Sequence, residues 1–361
     1  MLLRLLGLFQ VPFFSFWISS KDKFMKKVVI GIDVSKEKLD FCYQRTGEKI
    51  LKECMVENTT CAIKSSLKNG FKEFCLTKPD VLLCAEYTGS YTYPLSCACE
   101  ELGIDLWLEN PAEIKHRSGV QRGKNDRLDA RKIAAYALRF QDKARLFKLP
   151  EQNIASLKQL LSERDMYVSD KCKYQGQLTD QQRFMSRENY ACKSKRLKRQ
   201  IKELELSISE IEQEIEGLIQ RDATLARQHE LLCSIDGVGK KVAVKMIVET
   251  NAFKDFKNAR QFCCHAGVAP FRYDSGTSIR SKSKVSHRAD KSIKALLHLA
   301  ALSVATRKKD GELREYYARK VAEGKNKMSV LNAVRAKLVL RMFAVIKLNK
   351  VYEKNYHFAL A

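Results

Sequence analysis

Residues 26–36 read KKVVIGIDVSK, and this stretch decides the fold of the first domain. Its centre, residues 28–32, is a short β-branched run that predicts a buried strand ending beside Asp33. A second run at residues 81–85 predicts another strand, which ends beside Glu86. A carboxylate at the end of a strand is held by a rigid sheet. Both acids are therefore candidate ligands for a divalent cation.

A second acidic motif, KNDRLDA at residues 124–130, lies where a helix is predicted to begin. Asp126 and Asp129 are three residues apart and share one face of that helix. Both lie in its first turn, where the helix dipole favours negative charge. Each acid alone also has an ordinary explanation as a cap, a solvated first-turn residue or a strand end. Together with Asp33 and Glu86, however, they can hold a pair of divalent cations.

The elements around these motifs predict a mixed sheet covered by helices. Three strands come first, and helices and strands then alternate. The predicted strands are residues 28–33, 39–44, 49–56, 81–86 and 105–108, and the predicted helices are residues 59–76, 91–102 and 126–140. This order is that of the ribonuclease H architecture, so the fold class predicted for the N-terminal domain is α/β, ribonuclease H-like.

The composition indicates a nucleic-acid partner. The 361 residues carry a formal net charge of +24, and a field of that sign attracts polyanions. An anionic membrane surface is the competing interpretation, but the basic residues are spread through the chain and form no juxtamembrane block. The 12 cysteines show no C-x-x-C spacing. We therefore expect a reducing, cytoplasmic location without membrane insertion.

The first 24 residues differ from the rest, because they are strongly apolar and resemble a signal-peptide core or a short membrane segment. They lack a small-residue cleavage site, and Met25 directly precedes the first predicted strand. We interpret residues 1–24 as an apolar leader that arises from a misassigned start codon or is a nonfunctional extension.

A helical region is predicted between residues 150 and 230. Its apolar residues alternate in steps of four and three, which is a heptad pattern. The residues of this seam are Leu197, Ile201, Leu204, Ile208, Ile211, Ile215 and Leu218. An intramolecular helical hairpin and an intermolecular coiled coil satisfy the pattern equally well.

The third region begins with a glycine turn, IDGVGKK at residues 235–241. Gly237 and Gly239 would let backbone amides approach a phosphate, and the helix that follows would present its N-terminus and Lys240 and Lys241. These features are typical of the helix-hairpin-helix elements that bind DNA backbones. A glycine turn by itself is more often only a connection, so the four residues are candidate phosphate contacts.

A serine-rich basic loop follows, with YDSGTS at residues 273–278. Ser275 is a candidate nucleophile, although Asp-Ser-Gly is also a common turn and Ser278 is the nearest alternative. The basic residues of the loop are candidate nucleic-acid contacts, as are the two basic residues that flank Asp126 in the KNDRLDA motif. This set comprises Arg280, Lys282, Lys284, Lys124 and Arg127.

With GIDVSK, AEYTG, KNDRLDA, IDGVGK, AGVAP and DSG in place, the chain resembles the DEDD transposases of bridge-RNA-encoding insertion sequences, whose relatives include pilin-gene invertases. The resemblance spans residues 26–351. It implies that Asp33, Glu86, Asp126 and Asp129 bind two Mg²⁺ ions and that Ser275 attacks DNA. It also implies a ribonuclease H-like domain at residues 25–145, a coiled-coil or hairpin linker at 150–230 and a mainly α C-terminal transposase domain at 231–352.

The function expected from this resemblance is that of a transposase or site-specific recombinase that cuts and rejoins DNA, guided by a bridge RNA. The alternatives are a DNA invertase, a junction-resolving endonuclease that acts by hydrolysis, and a nonenzymatic nucleic-acid-binding protein. Exchange between two duplexes needs several active sites. We therefore expect a homodimer that assembles into a tetramer on DNA.

Overall fold

The computed structural model describes residues 25–47, 50–117, 125–271, 274–275, 279–280, 284–285, 290–307 and 310–353. The chain divides into two compact units, Met1–Leu149 and Pro150–Ala361. The apolar leader lies outside the described residues. Among the helices that are described, none is long and apolar enough to cross a membrane.

The first unit is a five-stranded mixed sheet with helices on both faces. Its strands are β1 Val28–Val34, β2 Lys38–Arg45, β3 Ile50–Glu57, β4 Val81–Glu86 and β5 Asp105–Glu109, and its helices are α1 Thr60–Glu73, α2 Tyr93–Leu102, α3 Pro111–Arg117 and α4 Asp126–Arg139. The strand order is β3-β2-β1-β4-β5. β1 is antiparallel to β2 and parallel to β4. The predicted mixed sheet is confirmed, whereas α3 was not predicted.

The central strand β1 separates the two helical layers of this unit. Its residues 28, 30, 32 and 34 are buried in one cluster with Ile63 of α1 and Leu95 of α2. Side chains alternate along a strand, so the residues between them face the other layer. There Val29 is buried with Ile133 and Ala137 of α4. The alternation of β1 thus fixes α4 on the face that also carries Gly31 and Asp33.

Helix α4 makes its closest approach to the sheet at Gly31. A Cβ atom at this position would lie 2.3 Å from the carbonyl oxygen of Ala130 and 2.3 Å from the amide nitrogen of Ala134. Cys42, which lies opposite Gly31 on β2, is buried with the same two alanines. Small residues on both sides therefore let the helix backbone pack directly on the strand.

The second unit is mostly helical. Its helices are α5 Gln152–Asp180, α6 Arg187–Arg221, α7 Ala223–Cys233, α8 Lys240–Glu249, α9 Ala259–His265, α10 Lys291–Leu302, α11 Glu312–Ala322 and α12 Lys327–Leu348. Four two-residue strands lie between α9 and α10, namely β6 Pro270–Phe271, β7 Asp274–Ser275, β8 Ile279–Arg280 and β9 Lys284–Val285. One apolar cluster extends from α5 to α12 and holds these helices together.

Helices α5 and α6 pair with each other in opposite directions. Arg164 Nε lies 2.8 Å from Glu212 Oε1, and Lys171 Nζ lies 3.5 Å from Glu205 Oε1. Four isoleucines of α6 are buried, at positions 208, 211, 215 and 219. The part of the predicted seam from residue 208 onward is therefore buried within the chain. A coiled coil between chains stays a prediction.

Candidate functional site

Four neighbouring strands present carboxylates at the same end of the first unit's sheet. Asp33 on β1 lies opposite Asp40 on β2, and Glu86 on β4 pairs in register with Glu109 on β5. β1 and β4 are paired as far as the residues that directly precede Asp33 and Glu86. Because paired residues project from the same face of a sheet, the order β2-β1-β4-β5 produces a row of acids.

Helix α4 adds the other two predicted ligands at its N-terminus. Asn125 caps the helix, and its side chain accepts a hydrogen bond from the amide of Arg127. This start places Asp126 and Asp129 in the first turn. The close packing at Gly31 holds the same end of α4 near the end of β1. The structure thus brings together the four acids selected from the sequence, and their role as ligands stays a prediction.

The acids are close enough to affect one another's ionisation. The pKa of Asp33 is raised from 3.8 to about 6, first by burial and then by the negative charges of Asp129, Asp126, Glu86 and Asp40, in that order. The pKa of Glu86 is also raised, mainly by burial and then by Asp129. Mutual repulsion of this kind is expected where carboxylates share one site.

Two lysines offset part of this negative charge. Lys38 Nζ lies 3.0 Å from Asp40 Oδ2 and 2.9 Å from Asp126 Oδ2. Lys132 forms an ion pair with Asp129 one turn further along α4. Within the described residues, no three of the acids at this end of the sheet bring ligand oxygens within 4.8 Å of one another. The two ammonium groups bind carboxylate oxygens of Asp126 and Asp129, which are two of the four predicted ligands.

The raised pKa of Asp33 predicts how the metal-free protein responds to pH. Between pH 3.8 and about 6, the folded protein retains a proton at Asp33 that the unfolded chain has released. Stability therefore falls as the pH rises through this window, and the loss persists above it. Asp33→Asn is expected to raise the melting temperature in EDTA at pH 8 more than at pH 4.

Thermal denaturation of both proteins at the two pH values measures this effect. Asp142→Asn is the control, because Asp142 is exposed in a turn outside the acidic cluster. A lower melting temperature for Asp33→Asn at pH 8 would contradict the prediction.

Sequence reasoning missed Asp40, Glu109, Lys38 and Lys132. The antiparallel register of the first hairpin could have revealed Asp40, because a short turn after Asp33 returns β2 directly past it. Asp40 is 5% exposed and is one of the few buried charged residues described. Glu109 required the register between β4 and β5, which no local pattern specifies.

Exposed aromatic and basic residues surround this end of the sheet. Tyr87, Tyr91 and Tyr93 lie in the segment that follows Glu86 and are 45%, 45% and 61% exposed. A cavity of about 870 Å³ begins at Tyr87 and is also lined by Arg117, Lys143 and Arg145. Aromatic rings stack on bases, and arginine and lysine bind phosphates. This surface is a candidate nucleic-acid interface that the sequence analysis did not identify.

The glycine turn of the second unit has the predicted position before a helix. Gly237 has a φ of +85°, which favours glycine, and Gly239 is the N-cap of α8. Lys240 Nζ lies 2.8 Å from Glu216 Oε1, and Lys241 Nζ lies 3.1 Å from Glu212 Oε1. Both lysines thus form ion pairs with α6, and phosphate binding at the turn stays a prediction.

The serine loop forms two short antiparallel ribbons. β6 pairs with β9, and inside that pair β7 pairs with β8, which sets Ser275 opposite Ile279. Arg280 and Lys284 lie in β8 and β9. Lys124, Lys282 and Ser278 lie outside the described residues. The roles predicted for these residues, including nucleophilic attack by Ser275, stay predictions.

Comparison with known proteins gives matches in both units. A model of the DEDD transposases of IS110 elements matches residues 30–182, and the model of the transposase IS116/IS110/IS902 family matches residues 229–318. The pilin gene-inverting protein of Moraxella bovis is 25% identical over 345 residues, which cover 92% of this chain and 100% of the relative. The protein of the same name from Moraxella lacunata is 25% identical over 92% of this chain and 100% of the relative.

A shorter match is to an insertion element IS110 uncharacterized 43.6 kDa protein of Streptomyces coelicolor. It is 26% identical over 152 residues, which cover 41% of this chain and 37% of that protein.

Proposed function

We propose that this chain, which belongs to the IS110 family of DEDD transposases and is a DNA transposase or recombinase, rejoins DNA through a serine nucleophile. Membership in the family implies DNA binding and the use of a divalent metal. The finer proposals concern which residues hold the metal, which residue attacks DNA, and what selects the DNA site.

The observation that carries the metal-dependent part of the proposal is the set of acids around Asp33. Their oxygens are the hard ligands that Mg²⁺ prefers. The pKa of Asp33 is raised first by burial and then by the negative charges of the neighbouring carboxylates. The donor set therefore fits a divalent cation, and we assign Asp33, Glu86, Asp126 and Asp129 as its ligands. When bound, a pair of such ions stabilises charge on the attacking and leaving oxygens of a phosphate.

The chain's own residues prepare this site before metal and DNA arrive. The strand ends fix Asp33 and Glu86, and the packing of α4 on Gly31 fixes the other two acids. Lys38 links Asp126 to Asp40, and Lys132 pairs with Asp129 within α4. The three exposed tyrosines after Glu86 are suited to stack on unpaired bases next to the cut.

We assign Ser275 as the nucleophile. Its oxygen forms a bond to the phosphorus of the DNA backbone while the bond from phosphorus to the leaving deoxyribose oxygen breaks. The serine hydroxyl gives up a proton, and the leaving oxygen takes one up. The number of phosphate ester bonds is conserved, so the second strand can be joined by the reverse reaction without an energy source.

The full-length match to two pilin gene-inverting proteins favours inversion as a second candidate outcome of the same chemistry. Both outcomes need two DNA sites and several copies of the chain, and we propose a dimer that forms a tetramer on DNA. We further propose that an RNA selects the sites. A duplex RNA could be held by shape and phosphate contacts on the basic protein surface.

A trapped covalent adduct tests the proposal. The DNA duplex for this test carries a nick beside the cutting site. After attack, the short fragment between the nick and the cut diffuses away. Because this fragment is needed for the reverse reaction, the enzyme remains attached to the DNA. We expect an adduct of protein and labelled DNA in Mg²⁺ that withstands boiling in detergent, and none in EDTA. Peptide mapping should find the phosphate on Ser275. Cleavage in Mg²⁺ without any adduct would instead support a hydrolytic nuclease.

A further inference from the structure

A second group of possible metal ligands lies in the second unit. Glu249, His265 and Asp290 each offer a ligand atom, and these atoms all lie within 4.8 Å of one another. Glu249 is the last residue of α8, His265 is the last residue of α9, and Asp290 is the N-cap of α10. Three separate helix ends therefore bring together one imidazole and two carboxylates.

Hydrogen bonds orient Asp290, and two aromatic rings lie beside His265, which is exposed. Asp290 Oδ1 accepts hydrogen bonds from the amides of Ser292 and Ile293, at 2.7 and 3.1 Å, which fixes the carboxylate and leaves Oδ2 to bind an ion. The ring of His265 lies 5.4 Å from that of Phe256 and 6.0 Å from that of Phe262, measured between centroids. The amide of Asp290 also donates to the carbonyl oxygen of His265, at 3.2 Å.

The ammonium group of Lys245 lies at one edge of the group. Lys245 Nζ is 2.9 Å from Glu249 Oε1, and both side chains are largely buried, with 18% and 19% exposed. Glu249 also ends helix α8, where the backbone carbonyls give the helix a partial negative charge. The local field thus favours positive charge, and the lysine competes for one of the three ligands.

We propose that Glu249, His265 and Asp290 bind one divalent transition-metal ion. An imidazole ligand favours Zn²⁺ or Ni²⁺ over Mg²⁺, whose sites are built from oxygen. Three protein ligands leave a coordination position for water, as in many zinc sites. The site is chemically distinct from the all-carboxylate cluster of the first unit.

The position of the site along the chain gives it a structural role. His265 comes before the ribbon strand β6, and Asp290 comes after the partner strand β9. An ion bound to both residues joins the two ends of the segment that contains Ser275. Joining these two ends requires only that the ion binds, whereas the value of the clamp for catalysis rests on the proposed function of Ser275.

Zinc binding by the full-length chain tests the site. The background is Glu86→Gln with Asp129→Asn, which weakens binding at the carboxylate cluster. After equilibrium dialysis against Zn²⁺, elemental analysis should find one ion fewer per chain in His265→Gln and in Glu249→Gln. His116→Gln is the control, because His116 is an exposed histidine of the first unit, and it should keep the full number. An unchanged number in His265→Gln would overturn the proposal.

Lys245→Ala keeps the test valid if loss of a ligand disturbs folding. It leaves all three ligands in place and removes the competing ammonium group. We expect zinc to bind about tenfold more tightly, an amount typical of removing a nearby like charge. Weaker or unchanged binding would count against the site.

Limited proteolysis tests the clamp independently of the reaction at Ser275. In Ser275→Ala, Zn²⁺ should protect the segment between His265 and Asp290 from cleavage, and His265→Gln should abolish this protection. Protection in Ser275→Ala supports the clamp even if the adduct experiment shows that Ser275 is not the nucleophile. Binding without protection would refute the clamp and leave the metal site intact.

Discussion

Glu86→Gln is expected to lower DNA strand cleavage by at least about 100-fold, because it removes one negative charge from a proposed metal ligand while keeping the shape of the side chain. Glu86 ends β4 and is half-buried, with its pKa raised by burial and by Asp129. A neutral amide there relieves the repulsion but binds Mg²⁺ poorly. Cleavage of a labelled duplex under single-turnover conditions measures the rate.

Two further measurements make this result specific. Glu101→Gln is the matched control, since Glu101 forms an ion pair with Lys64 on the opposite helical layer of the same unit. It should cleave at the normal rate. DNA binding by Glu86→Gln should be retained, because the basic residues that attract phosphates are unchanged. Cleavage by Glu86→Gln at half the normal rate or more would exclude Glu86 as a metal ligand.

Ser275→Ala should abolish covalent attachment and strand transfer, with a fall of at least about 1,000-fold, as is usual when a nucleophile is removed. Ser275 lies in β7, one of the inner ribbon strands of the loop. The change removes a single oxygen atom. DNA binding should persist, and the variant should still bind metal at the carboxylate cluster. The measurements are joint formation between two labelled duplexes and adduct yield.

Ser278→Ala is the matched control for this experiment, since it removes the hydroxyl of the nearest alternative serine in the same loop. It should retain both strand transfer and adduct formation. If Ser278→Ala is inactive and Ser275→Ala is active, the nucleophile is Ser278. If both variants keep cutting DNA and no adduct forms, water is the nucleophile and the hydrolytic alternative holds.

Strands β1 and β4 could be predicted because each contains a continuous apolar run bounded by polar residues. The row of acids could be predicted only in part. Asp33 and Glu86 follow such runs directly, whereas Asp40 and Glu109 join the row through the pairing of strands that are separate in sequence. Helix α3 was missed, since seven residues that begin with a proline show too little periodicity to identify a helix.

The second unit was harder to predict for the same physical reason. The seam of α6 is visible in the sequence, but only contacts such as that between Arg164 and Glu212 show that it packs against α5 of the same chain. Glu249, His265 and Asp290 lie on three different helices, so their convergence depends on how those helices pack. Local sequence patterns thus predict helices and strands, whereas the packing of these elements determines which residues come together in a site.

The absence of a side chain at Gly31 lets this one position determine how closely α4 approaches the sheet. Even a methyl group there would overlap the backbone of α4, so the helix would have to move away from the strand. The acids on the helix would then separate from those on the sheet, although none of the acids had changed. Residue size at position 31 thus sets the spacing between the two pairs of proposed metal ligands. Variation among natural relatives should be restricted there as severely as at the acids themselves.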